Sequence, residues 1–250
     1  MRKLALIVFS FSCLHAFAWG EKGHKIVAAL ARGAMSPEVM AKIDRYLVGT
    51  TWENAACWMD GVYNDKKYEY MRPWHFTSLS KDKIYVKVKE PNLLNQLEAC
   101  INILKKRELL PDQMVKESIE MLLHLVADLH QPLHDGYPED KNGSAFAVKF
   151  NGVSTDLHAF WDDAILDAGK IDIWSCTSYI FSLERKERLA IQQMDFVNWY
   201  EETRLCLGDV YDTGGNSISN DYVSRMKPMA VHQLSKAGLR LAAILKEIFV

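Results

Sequence analysis

Apolar residues recur every three to four positions along most of this chain, the period of an α-helix with one buried face. The spacing predicts a helix over residues 23–34. A second is expected from Pro37 to about residue 46, with Ser36 as N-cap and proline at the first helical position. Over residues 92–107, Leu93, Leu94, Leu97, Ile101 and Leu104 share one side. Pro111-Asp112 opens a long helix to about residue 129, and Pro132 stops the chain soon after. Further helices are expected over 157–166, 183–193 and 229–249. Period-two patterning is scarce. Residues 84–89 alternate apolar and basic, and 147–155 hold Asn151-Gly152 between apolar positions, a hairpin signal. No internal repeat or long linker appears. The expected fold is mainly α: one helical domain with a single small β-hairpin.

Residues 1–18 break this pattern. Arg2 and Lys3 precede an apolar stretch, and Ala16-Phe17-Ala18 forms a small-x-small cleavage site, so the segment reads as a secretory signal peptide. A secreted or periplasmic protein beginning at Trp19 is expected, with residues 19–250 as its domain. Losing the leader removes two basic residues and no acidic one, which moves the formal net charge from −2 to about −4. No broad lysine face is implied, so any nucleic acid needs its positive counterpart elsewhere, for example from metal cations. Beyond the leader no apolar run approaches the ~20 residues that span a membrane. Cys57, Cys100, Cys176 and Cys206 remain after cleavage. In an exported protein four cysteines suggest two disulfides, with three possible pairings.

The chemistry lies in histidines and aspartates. His124 and Asp128 are spaced i, i+4, on one helical face. His130-Gln-Pro-Leu-His134 follows, and His158-Ala-Phe-Trp-Asp162 repeats the His-x-x-x-Asp spacing. Imidazole and carboxylate at that separation grip one metal ion from one rigid element. Upstream lie Asp60, His75 and His24. Each piece alone has an ordinary reading: a core histidine, a capping aspartate, a solvated helix residue. His130 and His232 keep that reading, with His130 as a candidate partner to a ligand. Density shifts the balance, because five of the seven histidines after the leader sit in metal-like contexts. Cleavage before Trp19 would also create a free α-amine five residues ahead of His24.

Taken together, the stretches Trp19-Gly-Glu-Lys-Gly-His24, Trp58-Met-Asp60, Trp74-His75-Phe76, His124 to His134 and Asp156-Leu-His158-Ala-Phe-Trp-Asp162 resemble a known family. It is that of the three-zinc, single-strand-specific nucleases and 3′-nucleotidases, relatives of bacterial zinc phospholipase C. Ala237-Gly-Leu-Arg-Leu-Ala is similar to the family's last helix, and the likeness runs over essentially all of residues 19–250. The resemblance implies a phospholipase C/nuclease-like fold holding three Zn²⁺. Asp60, His75, His124 and Asp128 would hold the first. His134, His158 and Asp162 would hold the second. The Trp19 amine and carbonyl, His24 and a shared Asp128 would hold the third.

Water between the first and third ions, beside Asp60 and Asp128, would then attack phosphorus in line, while the second ion stabilises the leaving 3′-oxygen. Substrates would be single-stranded DNA or RNA, cut to 5′-nucleotides, and 3′-mononucleotides. Phe76 stands where fungal members stack a base, and Ser78 where they place a base-reading aspartate. Ser144 ends Lys141-Asn142-Gly143-Ser144, a departure from the family's Arg-Gly-Gly-Asn, and Asp156 replaces a frequent Asn. Asn142-Gly143-Ser144 is also a glycosylation sequon. The main rival is a zinc phospholipase C; another is a zinc-binding protein without catalysis. The phospholipases place the first histidine farther from the terminal tryptophan and end the last motif in Glu, unlike His24 and Asp162 here. A monomer without stable membrane association is expected.

Overall fold

The computed structural model describes residues 19–250; the expected signal peptide, residues 1–18, lies outside them. Its interior helix is the predicted long one. Asp112–Asp128 carries seven consecutive buried residues, from Leu122 to Asp128, so its last two turns are enclosed on every side. A helix buried all round must pair its polar residues inside the protein, and His124 and Asp128 are two of them.

Numbered in chain order, the N-terminal helices are α1 (Glu21–Gly33), α2 (Pro37–Asp44), α3 (Trp52–Ala56) and α4 (Trp58–Gly61). A 3₁₀ stretch, Lys66–His75, leads to α5 (Leu93–Leu104), and the interior helix is α6. Side-chain caps start several of them: Ser36 accepts from the Val39 N–H, Thr51 from Asn54 and Asn92 from Asn95. The hairpin forms as the Asn-Gly signal predicts. β1 (Ala147–Phe150) pairs antiparallel with β2 (Val153–Asp156), and Asn151 and Gly152 take φ of 50° and 81° at the turn. Asp156 then caps α7 (Leu157–Ala159), which passes through a π turn, Phe160–Ala164, into α8 (Ile165–Ala168). The C-terminal part comprises α9 (Ile173–Ser182), α10 (Arg185–Ile191), α11 (Phe196–Arg204), α12 (Leu207–Tyr211) and α13 (Asn220–Phe249).

α13 packs along α1 and against α6 and α9, while α5 and α3 cover other sides of α6. Gly238 lets α13 approach α1: a Cβ there would lie 2.6 Å from the Leu30 Cβ. None of the described helices is long and apolar enough to cross a membrane.

Three expectations are corrected, and two helices were not expected. Residues 84–89 form no strand. No neighbouring strand reaches them, Ile84 and Val86 are exposed, and the segment is pinned by Tyr85 against the Tyr200 ring and by the Asn95 amide donating to the carbonyls of Val88 and Glu90. The last helix starts at Asn220 rather than at residue 229. Ser219 caps it, and it runs through Pro228, whose missing N–H removes one hydrogen bond from a helix held by its buried face. Helices α9 and α11 carry no prediction at all. The expected disulfides are absent among the described residues, where all four cysteines are free. They lie on different elements: Cys57 beside Glu53, Cys100 within α5, Cys176 under Ser235 of α13, and Cys206 beside Glu202.

Candidate metal centre

Eight of the nine sequence-predicted ligands meet as side chains in one buried cluster. Ligand atoms of His24, His124 and Asp128 lie within 4.8 Å of one another, as do those of Asp60, His75 and His124, and those of His134, His158 and Asp162. Asp128 sits between the first two groups. Its Oδ1 is 3.4 Å from His24 Nε2, and its Oδ2 is 3.1 Å from His75 Nδ1 and 3.3 Å from His124 Nε2. His134 Nδ1 lies 3.8 Å from Asp128 Oδ1, so the third group adjoins the other two.

Local folding aims these atoms. α6 presents His124 and Asp128 one turn apart. The π turn holds Asp162, with its Oδ2 3.4 Å from His158 Nε2. Three imidazoles donate Nδ1–H to backbone carbonyls: His124 to Ala56 at 2.7 Å, His134 to His75 at 2.8 Å and His158 to Asn142 at 2.6 Å. Each therefore turns an Nε2 lone pair toward the cluster, the arrangement that metal-ligating histidines show. His75 differs, facing the others with Nδ1.

Seven buried atoms here have no hydrogen-bond partner: both ring nitrogens of His24, Asp60 Oδ1, Asp128 Oδ1, His134 Nε2, His158 Nε2 and Asp162 Oδ2. An orphaned buried polar atom costs about 1–3 kcal/mol, and native folds seldom leave many together. Bound cations would satisfy six of them: the other His24 nitrogen carries the ring N–H and cannot be a ligand. The electrostatics agree. Burial holds His24 well below the usual imidazole range, with His124 adding to it, and burial likewise lowers His158. Burial takes His134 down to about 3 despite Asp128 nearby. Burial opposes charge on His124 too, but Asp128 and Asp60 outweigh it and hold that ring at about 9. Burial pushes Asp60 up and Asp162 well up, whereas His124 and His134 keep Asp128 well below the carboxylate range against its burial. Mostly neutral imidazoles and carboxylates short of positive charge are a donor set that fits divalent zinc.

Trp19 is the ninth expected ligand, through its amine and carbonyl. Its ring is fully buried, 6.2 Å from Trp161. The next residue, Gly20, donates its N–H to the Asp162 carbonyl at 2.7 Å, which ties this end of the described chain to the third group. Phe76, Ser78 and Ser144 lie together. With Lys141, Asn142 and His158 they line a cleft of about 360 Å³. Phe76 stands 4.7 Å, ring to ring, from His134. Asn142 is buried and takes a left-handed φ of 58°, its carbonyl fixed by His158. His130 stays outside the cluster, bonded to Val126 and Arg240, and His232 stacks on Tyr179. Sequence reasoning missed Gln131, which donates to Asp162; its only sequence signal is its place between two histidines of one short motif.

Buried imidazoles and carboxylates with free ligand atoms beside a cleft form a candidate metal centre, and the proteins this chain is similar to are nucleases, hydrolases acting on ester bonds. A model of the family described as S1/P1 Nuclease matches residues 19–250, and the chain belongs to that family. Members are zinc enzymes, and the His/Asp groups here accord with that. The chain is 23% identical to Endonuclease 4 of Arabidopsis thaliana over 273 residues, covering 94% of this chain and 90% of the relative. It is 23% identical to that organism's Endonuclease 5, covering 98% and 95%. To Nuclease S1 of Aspergillus oryzae (strain ATCC 42149 / RIB 40) it is 22% identical, covering 91% and 90%.

Proposed function

We propose that this protein is an exported, monomeric zinc phosphodiesterase that cuts single-stranded DNA or RNA to 5′-nucleotides and removes the phosphate of 3′-mononucleotides. The observation that carries the reading is the set of orphaned, buried ligand atoms on six side chains, His24, Asp60, Asp128, His134, His158 and Asp162, beside the cleft.

Three ions are expected, in the groups His24–Asp128 with the Trp19 terminus, Asp60–His75–His124–Asp128 and His134–His158–Asp162. When bound, zinc supplies Lewis acidity, a lowered pKa of water and positive charge against the phosphoryl oxygens. The protein supplies the rest. Asp60 and Asp128 hold the attacking water by hydrogen bonds in line with the phosphorus. The water oxygen bonds to phosphorus as the bond from phosphorus to the 3′-oxygen breaks, the water gives up a proton and the leaving 3′-oxygen takes one up as a hydroxyl, and the phosphate stays on the 5′ side. Phe76 offers a face to one unstacked base, with Ser78 and Ser144 at the rim of the same cleft. The preference for single strands follows from depth. His134 and Asp128 are fully buried, and a cleft of about 360 Å³ admits one nucleotide rather than a stiff duplex.

The test is hydrolysis by zinc-loaded protein beginning at Trp19, against denatured DNA, 3′-AMP and phosphatidylcholine, each with and without chelator. Chelator-sensitive cleavage of the first two alone is expected. Cleavage of lipid alone would transfer the same metal centre to a phospholipase.

A further inference from the structure

The short connection between α6 and the 3₁₀ turn Pro132–Asp135 is anchored at every residue. The Leu129 carbonyl accepts from Thr203 Oγ1 at 2.9 Å, and the His130 ring is fixed at both nitrogens. Gln131, fully buried, makes the third anchor. Its Oε1 accepts the Leu133 N–H at 2.6 Å, and its Nε2 donates to Asp162 Oδ1 at 2.7 Å. The amide has one orientation. Flipped, it would set oxygen against carboxylate and NH₂ against N–H.

This bond divides the two oxygens of Asp162. Oδ1 is spent on Gln131, while Oδ2 has no partner and lies 3.4 Å from the equally orphaned His158 Nε2. We propose that Gln131 is a positioning residue for the His134–His158–Asp162 group, fixing Asp162 so that Oδ2 is the oxygen offered to the cation. The inference rests on the metal-centre reading above. Partners of this kind, removed, typically cost 10–100-fold in metal affinity. The loss should be confined to one ion, because the Gln131 side chain bonds only Asp162 and the Leu133 N–H, and its backbone N–H bond to the Asp128 carbonyl at 2.9 Å survives substitution of the side chain.

Gln131→Met keeps length and bulk but loses both hydrogen bonds. Zinc affinity and stoichiometry would be measured by competition with a chelating dye for the unaltered protein, Gln131→Met and His158→Ala, alongside urea unfolding without metal. The expected result is one ion weakened 10–100-fold in Gln131→Met with the others unchanged. A uniform weakening that tracks a loss of metal-free stability would make Gln131 merely structural and overturn the proposal, as would unaltered affinity for every ion. If the unaltered protein bound no zinc, or His158→Ala bound as tightly, the metal-centre reading itself would fall. Should Gln131→Met not fold, exchange of the Gln131 side-chain amide protons in the unaltered, zinc-loaded protein decides: slow exchange supports the bond to Asp162, and solvent-like exchange removes it.

Discussion

Arg240, deep in the last helix, donates to Nε2 of His130 at 2.8 Å. The same guanidinium reaches Glu202 at 2.6 Å and the Ile191 carbonyl at 3.2 Å, and lies 4.8 Å over the Trp199 ring. The arginine of the final motif is thus a clamp between α13, α11 and the connection that follows Asp128. Arg240→Ala should leave His130 Nε2 without its partner and Glu202 with Lys236 alone, and destabilise the metal-free protein by about 2 kcal/mol. Urea unfolding measures this; a loss below about 1 kcal/mol would mean that the clamp is solvated.

Asp128 serves two groups with different oxygens, Oδ1 toward His24 and Oδ2 toward His75 and His124. Asp128→Asn is therefore expected to lose two ions rather than one, counted as metal per chain by elemental analysis. A variant that keeps its full zinc content would end the bridging assignment.

The buried Trp19 ring and the bond from Gly20 to the Asp162 carbonyl place the start of the described chain against the cluster. A tag or uncleaved leader ahead of Trp19 should remove the ion expected at the terminal amine and leave the others. Retention of three zincs with full turnover in a tagged protein would refute the role given to the terminus.

Phe76→Ala should weaken oligonucleotide binding roughly tenfold, from the ~1–3 kcal/mol of one stacked base. A phosphodiester without a base should be cut at an unchanged rate. Equal losses on both substrates would instead mark Phe76 as packing for His134, which its ring faces.

Glu120 predicts a pH effect on stability. Its side chain is 6% exposed, and burial pushes it up to about 7 from an ordinary 4.5. A folded-state pKa above the unfolded one gives stability that is complete below pH 4.5 and is lost as pH rises through about 7. The loss is at most about 3 kcal/mol at 1.36 kcal/mol per unit. Glu120→Gln should flatten this slope, so that it gains on the unaltered protein between pH 4.5 and pH 8. Parallel stability curves would show that Glu120 is hydrated.

Spacing alone made His124/Asp128 and His158/Asp162 legible, the full ligand set came from the resemblance, and the hairpin was legible because Asn151-Gly152 dictates its own turn. Periodicity erred where burial departs from pattern. α9 leaves Trp174 and Phe181 exposed, and α11 exposes Val197, so neither shows a clean apolar stripe. Residues 84–89 have the alternation of a strand but no strand to pair with. Gln131 carries no pattern of its own; only its two bonds in space distinguish it.

The four separated thiols have a practical meaning. Burial pushes Cys57 and Cys100 up to about 12, and Cys176 and Cys206 up to about 11, so none is a ready thiolate at neutral pH. Nothing in the described fold waits on an oxidant. The domain should assemble as well in a reducing cytoplasm as outside the cell, and dithiothreitol should leave its melting temperature where it was.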